Sequence, residues 1–157
     1  MQSLRNLPAA LLERAIEALH RAGERRLGEP KPEHLRIGER GERAVYFHLL
    51  RKGYTVVARR WSDGTARGDV DLIAWDGDLL CFIEVKTRTS KEMATASVAV
   101  DREKRQTLRR LARQYLRQLP EGEEPGVRFD IAVVYELPGR PREVRLIPAA
   151  FGWREQR

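Results

Sequence analysis

The segment DVDLIAWDGDLLCFIEVKTRT, residues 69–89, leaves a folded chain few choices. Two runs rich in Leu, Ile, Val, Phe and Trp flank WDGDL, where either Asp-Gly or Gly-Asp suits a two-residue hairpin turn. The pattern predicts antiparallel strands over 69–75 and 79–87. Strand side chains alternate between faces, so Asp69 and Asp71 share a face, and so do Glu84 and Lys86. With Gly77-Asp78 as the loop, Asp71 lies opposite Glu84 and Asp69 opposite Lys86. With Asp76-Gly77 as the loop, Glu84 lies opposite Asp69 and diagonal to Asp71. Both turns bring all four groups to one face, with opposed Cβ atoms ~5 Å apart and diagonal ones ~7–8 Å apart.

Two carboxylates this close resist joint ionisation unless a cation sits between them. Carboxylate oxygens with waters suit Mg²⁺ or Mn²⁺, held between the facing carboxylates. Lys86 beside such an ion can orient a water or steady developing charge, which is what phosphodiester hydrolysis needs. The competing reading is a structural ion pair of Lys86 with Asp69 or Glu84. The two differ in outcome: a metal site predicts that metal-free Glu84→Gln is at least as stable as the original chain, and an ion pair predicts a loss.

Ahead of the hairpin, GERGERAVYFHLLRKGY reads as a helix with Tyr46, Leu49 and Leu50 on its apolar face and Gly53 as its stop. Glu42 falls on that stripe, as a helix-dipole acid or as an outer ligand or water-orienting base. YTVVARRW reads as a strand. After the hairpin, 89–100 reads as a loop and Asp101 as the cap of a second helix. Leu108, Leu111, Ala112, Tyr115, Leu116 and Leu119 form its apolar stripe, with Lys104 in line and a row of arginines opposite. VRFDIAVVYEL and REVRLIP are two further strands. Helix, three strands, helix and two strands make an α/β domain with a central mixed sheet, over 36–150, and 151–157 reads as a tail. Residues 1–35 read as an appendage: a helix over 7–22 and a linker broken by Gly28, Pro30 and Pro32. The stripe of that helix needs burial, on the chain's own core or in a homodimer through 1–26.

The chain of 157 residues carries net charge +7, unevenly placed. The hairpin region 63–88 is net −3, between net +4 over 38–62 and net +5 over 89–119. A basic surface attracts polyanions, above all nucleic acid, although charge alone is equally a route to solubility. Arg59, Arg60, Arg105, Arg109 and Arg113 are the expected phosphate contacts. No apolar run approaches the roughly 18 residues of a membrane helix, and Glu13 and Glu17 interrupt the N-terminal apolar positions. With Cys81 the lone cysteine, the expectation is a cytoplasmic protein.

The order of a helical glutamate, a strand aspartate and then Glu-x-Lys on the next strand resembles the PD-(D/E)XK nuclease superfamily. More closely, GERAVYFHLLRKGY, GDVDLIAWDGDLLCFIEVKTR, VDREKRQTLRRLARQYL and RFDIAVV resemble the YraN-type family of bacterial proteins, from Gly38 to Ile147. The resemblance implies a restriction-endonuclease-like core and a metal-dependent endonuclease acting on DNA, including branched or damaged structures. It gives Asp71, Glu84 and Lys86 the catalytic roles, makes Asp71 and Glu84 the expected metal ligands, and matches Glu42 to the helical acid. Lys104 and Asp130 match family positions without an assigned role. Asp69 stands where the family usually has glutamate, and Trp61 where it usually has asparagine. The alternatives are a dimer like the archaeal Holliday-junction resolvases and a non-catalytic nucleic-acid-binding module.

Overall fold

The structure is a computed structural model that describes residues 32–64, 68–90 and 100–154. The expected helix at 7–22, its linker, the self-association through 1–26 and most of the 89–100 loop lie outside the described residues. Helix α1 (Glu33–Arg51) follows Pro32, whose missing N–H costs a helix start nothing. It therefore begins inside the stretch read as linker. Gly53, at φ +87°, lets Tyr54 N donate to Leu49 O and Gly53 N to Leu50 O, the paired bonds that close a helix on a left-handed residue. Ala44, Val45, Phe47 and Leu49 are buried, whereas Tyr46 and Leu50 are only half-buried, so the inward face is rotated from the expected one.

Five strands follow in sheet order β1 (Thr55–Trp61), β2 (Val70–Asp76), β3 (Leu79–Arg88), β4 (Gly126–Tyr135) and β5 (Glu143–Phe151). Only β3 and β4 run parallel, and helix α2 (Arg102–Leu116) makes the crossover between them. The sheet is mixed and the domain α/β, as expected. Asp101 caps α2 by accepting from Lys104 N at 2.8 Å. α1 covers one face, against Leu72, Ala74, Cys81, Ile83, Ala132 and Val134. α2 covers the other, against Val70, Ile73, Leu80, Phe82 and Phe129. Covered on both sides, β3 is buried continuously from Leu80 to Glu84.

Of the stretch read as a tail, Phe151 and Trp153 pack against the core. β5 runs to Phe151, whose ring stacks on Phe129 at 4.9 Å, and Trp153 meets Phe129 edge-on. Burial pushes the Cys81 thiol up to about 12, with Asp130 adding to the shift, so this cysteine is an inert core residue. Among the described residues no helix is long and apolar enough to cross a membrane.

Candidate active site

The hairpin register selects between the two turns. Asp76 pairs with Leu79 and Leu72 with Ile83, so Gly77-Asp78 is the loop. Gly77 sits at φ +57° in the first central position, where a tight hairpin turn favours glycine. Continued by one residue, the register sets Asp71 opposite Glu84, on the face that α2 covers.

Glu84 is buried, at 4% exposure, yet surrounded by cations. Lys86 Nζ donates to its Oε1 at 3.0 Å, and Lys104 Nζ reaches its Oε2 at 2.9 Å. The Lys104 contact is close but off the hydrogen-bond direction, so Oε2 has no aligned donor. Lys104 also donates to Asp69 O at 3.2 Å. Burial would lower the Lys104 pKa, but the close Glu84 carboxylate, with Asp71 and Asp69 behind, outweighs it and raises it. Lys104 is the strongest addition the structure makes to the site. Its signal was its place at the head of the α2 stripe, without any hint of its partner.

Asp71 is held differently. Its Oδ2 accepts Val85 N at 2.6 Å, and its other oxygen accepts nothing from the described residues. Burial first, and the facing Glu84 second, push its pKa from 3.8 up to about 7, against the opposing pull of Val85 N–H and Lys104. Glu42 adds to the same push, so it lies within electrostatic reach. Glu42 is nevertheless committed elsewhere. Both its oxygens accept from Arg60, Nε and Nη2 each at 2.8 Å. Arg60 achieves this from φ +46°, a left-handed conformation unusual for a non-glycine residue.

Among the described residues no three or more His, Cys, Asp or Glu side chains converge to hold a metal ion. Two carboxylates suffice for Mg²⁺, which commonly keeps several waters. The donor set fits: Asp71 and Glu84 face each other, each with an oxygen lacking an aligned donor, and Asp71 holds its proton up to about pH 7 for want of compensating charge. Asp71 and Glu84 would hold the ion.

The expected phosphate contacts divide. Arg59 is exposed, over the Tyr46 ring, and Arg113 is exposed, over Trp153. Arg105 is half-buried. Arg60 is tied to Glu42. Arg109 has to be corrected: it is buried, donates to Gly152 O at 2.8 Å and lies over Phe151. The tertiary reason is the C-terminal segment, which folds back over that side of α2. Asp130 is structural. Fully buried, it accepts from Arg128 and from Ala149 N, while Arg128 also bonds Asp76 and Tyr54. Reading the sequence missed this clamp, although Arg128 and Asp130, two apart on one strand, were its signal.

The fold and this centre define an α/β protein with paired carboxylates and two lysines at the middle of a mixed sheet. Residues 41–134 match the model of the Uncharacterised protein family UPF0102. A UPF0102 protein of Koribacter versatilis is 49% identical over 126 residues, covering 80% of this chain and 86% of its own. One of Solibacter usitatus is 41% identical, covering 76% and 88%. The chain belongs to this family, in agreement with the resemblance read from its sequence. Among solved structures, Archaeoglobus fulgidus Hjc, a Holliday junction resolvase, is similar over 68% of this chain and 72% of its own, with 20% identity and a TM-score of 0.42.

Proposed function

We propose that this chain is a metal-dependent nuclease that hydrolyses phosphodiester bonds of DNA, including branched or damaged structures. The observation that carries the proposal is Asp71 facing Glu84 in register, with Lys86 and Lys104 within 3.0 Å of the Glu84 carboxylate. A divalent ion on Asp71 and Glu84 would supply the positive charge that polarises a phosphate and draws a nucleophile from water. Lys86, half-exposed at the rim, orients that water or steadies charge on the phosphate oxygens. Lys104 pairs with Glu84 Oε2 and holds its carboxylate aimed across the strands. Arg60 restrains Glu42 at the edge of the centre, and Arg59, Arg105 and Arg113 meet the backbone phosphates.

One observation favours a second reading, a non-catalytic nucleic-acid-binding module. Glu84 is already neutralised by two lysines, so its charge is balanced without an ion. Labelled duplex, branched and single-stranded DNA, incubated with Mg²⁺, Mn²⁺ or EDTA, separates the two. Cleavage in metal that EDTA and Glu84→Gln abolish supports the nuclease. Binding without cleavage in every condition supports the module. Preference for four-way junctions, with a dimer in solution, would specify a resolvase-like enzyme.

A further inference from the structure

The β4–β5 connection encloses a crevice of about 340 Å³, at the lower end of the range that holds small organic ligands. Its walls are Tyr135, Leu137, Arg140, Pro141, Glu143 and Arg145. The lining sets an aromatic ring and two apolar side chains beside two guanidinium groups. Glu136, the nearby acid, is engaged by Arg40 at 3.4 Å and Arg142 at 3.6 Å. Arg140 and Arg145 make no ion pair among the described residues. Glu143 is the one carboxylate among the lining residues.

The sheet register places this crevice relative to the candidate active site. Lys86 pairs with Val133 on β4, and Val133 pairs with Arg145 on β5. Directly paired residues project to the same face, so Lys86, Val133 and Arg145 form one cross-strand row. Glu84 lies two residues before that row and Tyr135 two residues after it, on the same face, so the two stand four residues, ~13 Å, apart along the strand direction. Two strand spacings separate Lys86 from Arg145, ~10 Å. A strand of nucleic acid with a phosphate at Lys86 could reach the crevice only by running from the row toward the C-terminal end of β4, a span of about two nucleotides.

We propose that this crevice is a subsite for an unpaired nucleotide, its base stacked on Tyr135 and its phosphate met by Arg140 and Arg145. A base in a duplex keeps its faces in the stack, whereas an unpaired base offers a whole face to an aromatic side chain. A plain anion site would need the arginines and not the ring. Resting on the nuclease reading, the subsite narrows its substrate: DNA with single-stranded character beside the scissile phosphate, such as a flap, a branch or a free end.

The experiment measures binding apart from cleavage. Full-length protein in EDTA is titrated into fluorescently labelled oligothymidylate and into an abasic oligonucleotide of equal length. The original protein should prefer the thymidylate strand by on the order of tenfold. Tyr135→Ala should abolish the preference, Tyr135→Phe should keep it, and Arg145→Gln should weaken both ligands. In parallel, a bromodeoxyuridine-substituted strand is photocrosslinked to the unaltered protein and the attachment mapped by mass spectrometry. Attachment within 135–145 supports the subsite even if Tyr135→Ala fails to fold. Equal affinity for the two strands, or attachment confined to other segments, overturns it. Absence of cleavage in Mg²⁺ or Mn²⁺ with this binding intact would remove the nuclease and leave the subsite. Cleavage with no preference for the thymidylate strand would do the reverse.

Discussion

Asp71 and Glu84 face each other but are held by different partners. Glu84 has two lysines, and Asp71 has one short backbone hydrogen bond. In the folded protein Asp71 keeps its proton to about pH 7, whereas the unfolded chain releases it near 3.8. Folding therefore takes up a proton between those values, and this group's stabilisation is lost as pH rises through them. Without metal, the stability advantage of the original protein over Asp71→Asn should shrink by on the order of 2 kcal/mol from about pH 5 to about pH 8. Urea unfolding of both in EDTA measures it, and a constant difference would mean that Asp71 titrates normally. Glu84→Gln should behave in the opposite sense to the metal-site expectation from sequence. It strands two lysine charges and should cost about 1–3 kcal/mol in EDTA. Metal is then the deciding arm: Mg²⁺ or Mn²⁺ should raise the Tm of the original protein and leave that of Glu84→Gln unchanged. If neither melting curve responds to metal, the centre is an ion-pair cluster and the nuclease reading goes with it.

Helix α1 can bring Glu42 to the sheet because Gly41 lies against β3. A Cβ at Gly41 would collide with Thr87 Oγ1, one residue beyond Lys86. Glycine inside a helix costs about 1 kcal/mol relative to alanine, so its use here reflects the close approach. Gly41→Ala should destabilise by about 1–3 kcal/mol by forcing Thr87 to rotate or the helix to lift. In a Thr87→Ala background most of that cost should disappear, because the colliding oxygen is gone. A double-mutant cycle on thermal or denaturant unfolding reads the coupling; additive effects would show that the helix does not depend on this contact. α2 shows the complementary case. Its apolar stripe was legible from three- and four-residue spacing, and Leu108, Leu111 and Ala112 are buried as that spacing requires. Arg109 beside them was assigned to the solvent face, because spacing along a helix is blind to a distant segment folding over its flank.

At the scale of the molecule, charge decides how a polyanion would be met. The basic stretches on either side of the hairpin place Arg59 on β1 and Arg105 and Arg113 on α2. Affinity for duplex DNA should fall linearly in log–log form with salt, with slope near −0.9 per phosphate neutralised. Arg59→Ala and Arg113→Ala should each reduce the slope by about 1. Arg109→Ala should leave the slope alone and lower the Tm, since its guanidinium serves Gly152 O and Phe151. A salt-independent affinity of the intact protein would dispose of the nucleic-acid reading.

Sequence alone determined everything that depends on period and on neighbours along the chain. The two-residue alternation placed Asp71, Glu84 and Lys86 on one face under either turn, because moving the turn by one residue on both strands preserves the facing. Gly53 and Asp101 marked helix ends for the same local reason: each acts within a few residues of itself. Tertiary structure alone decided which charges meet. Lys104 reaches Glu84 from another element, Arg60 takes Glu42 across 18 residues, and the C-terminal segment buries Arg109. The Tyr135–Arg145 crevice arises because β5 returns beside β4 and turns residues ten apart into one wall. Periodicity specifies the face a side chain takes, and its partner is set by elements that fold against it from distant parts of the chain.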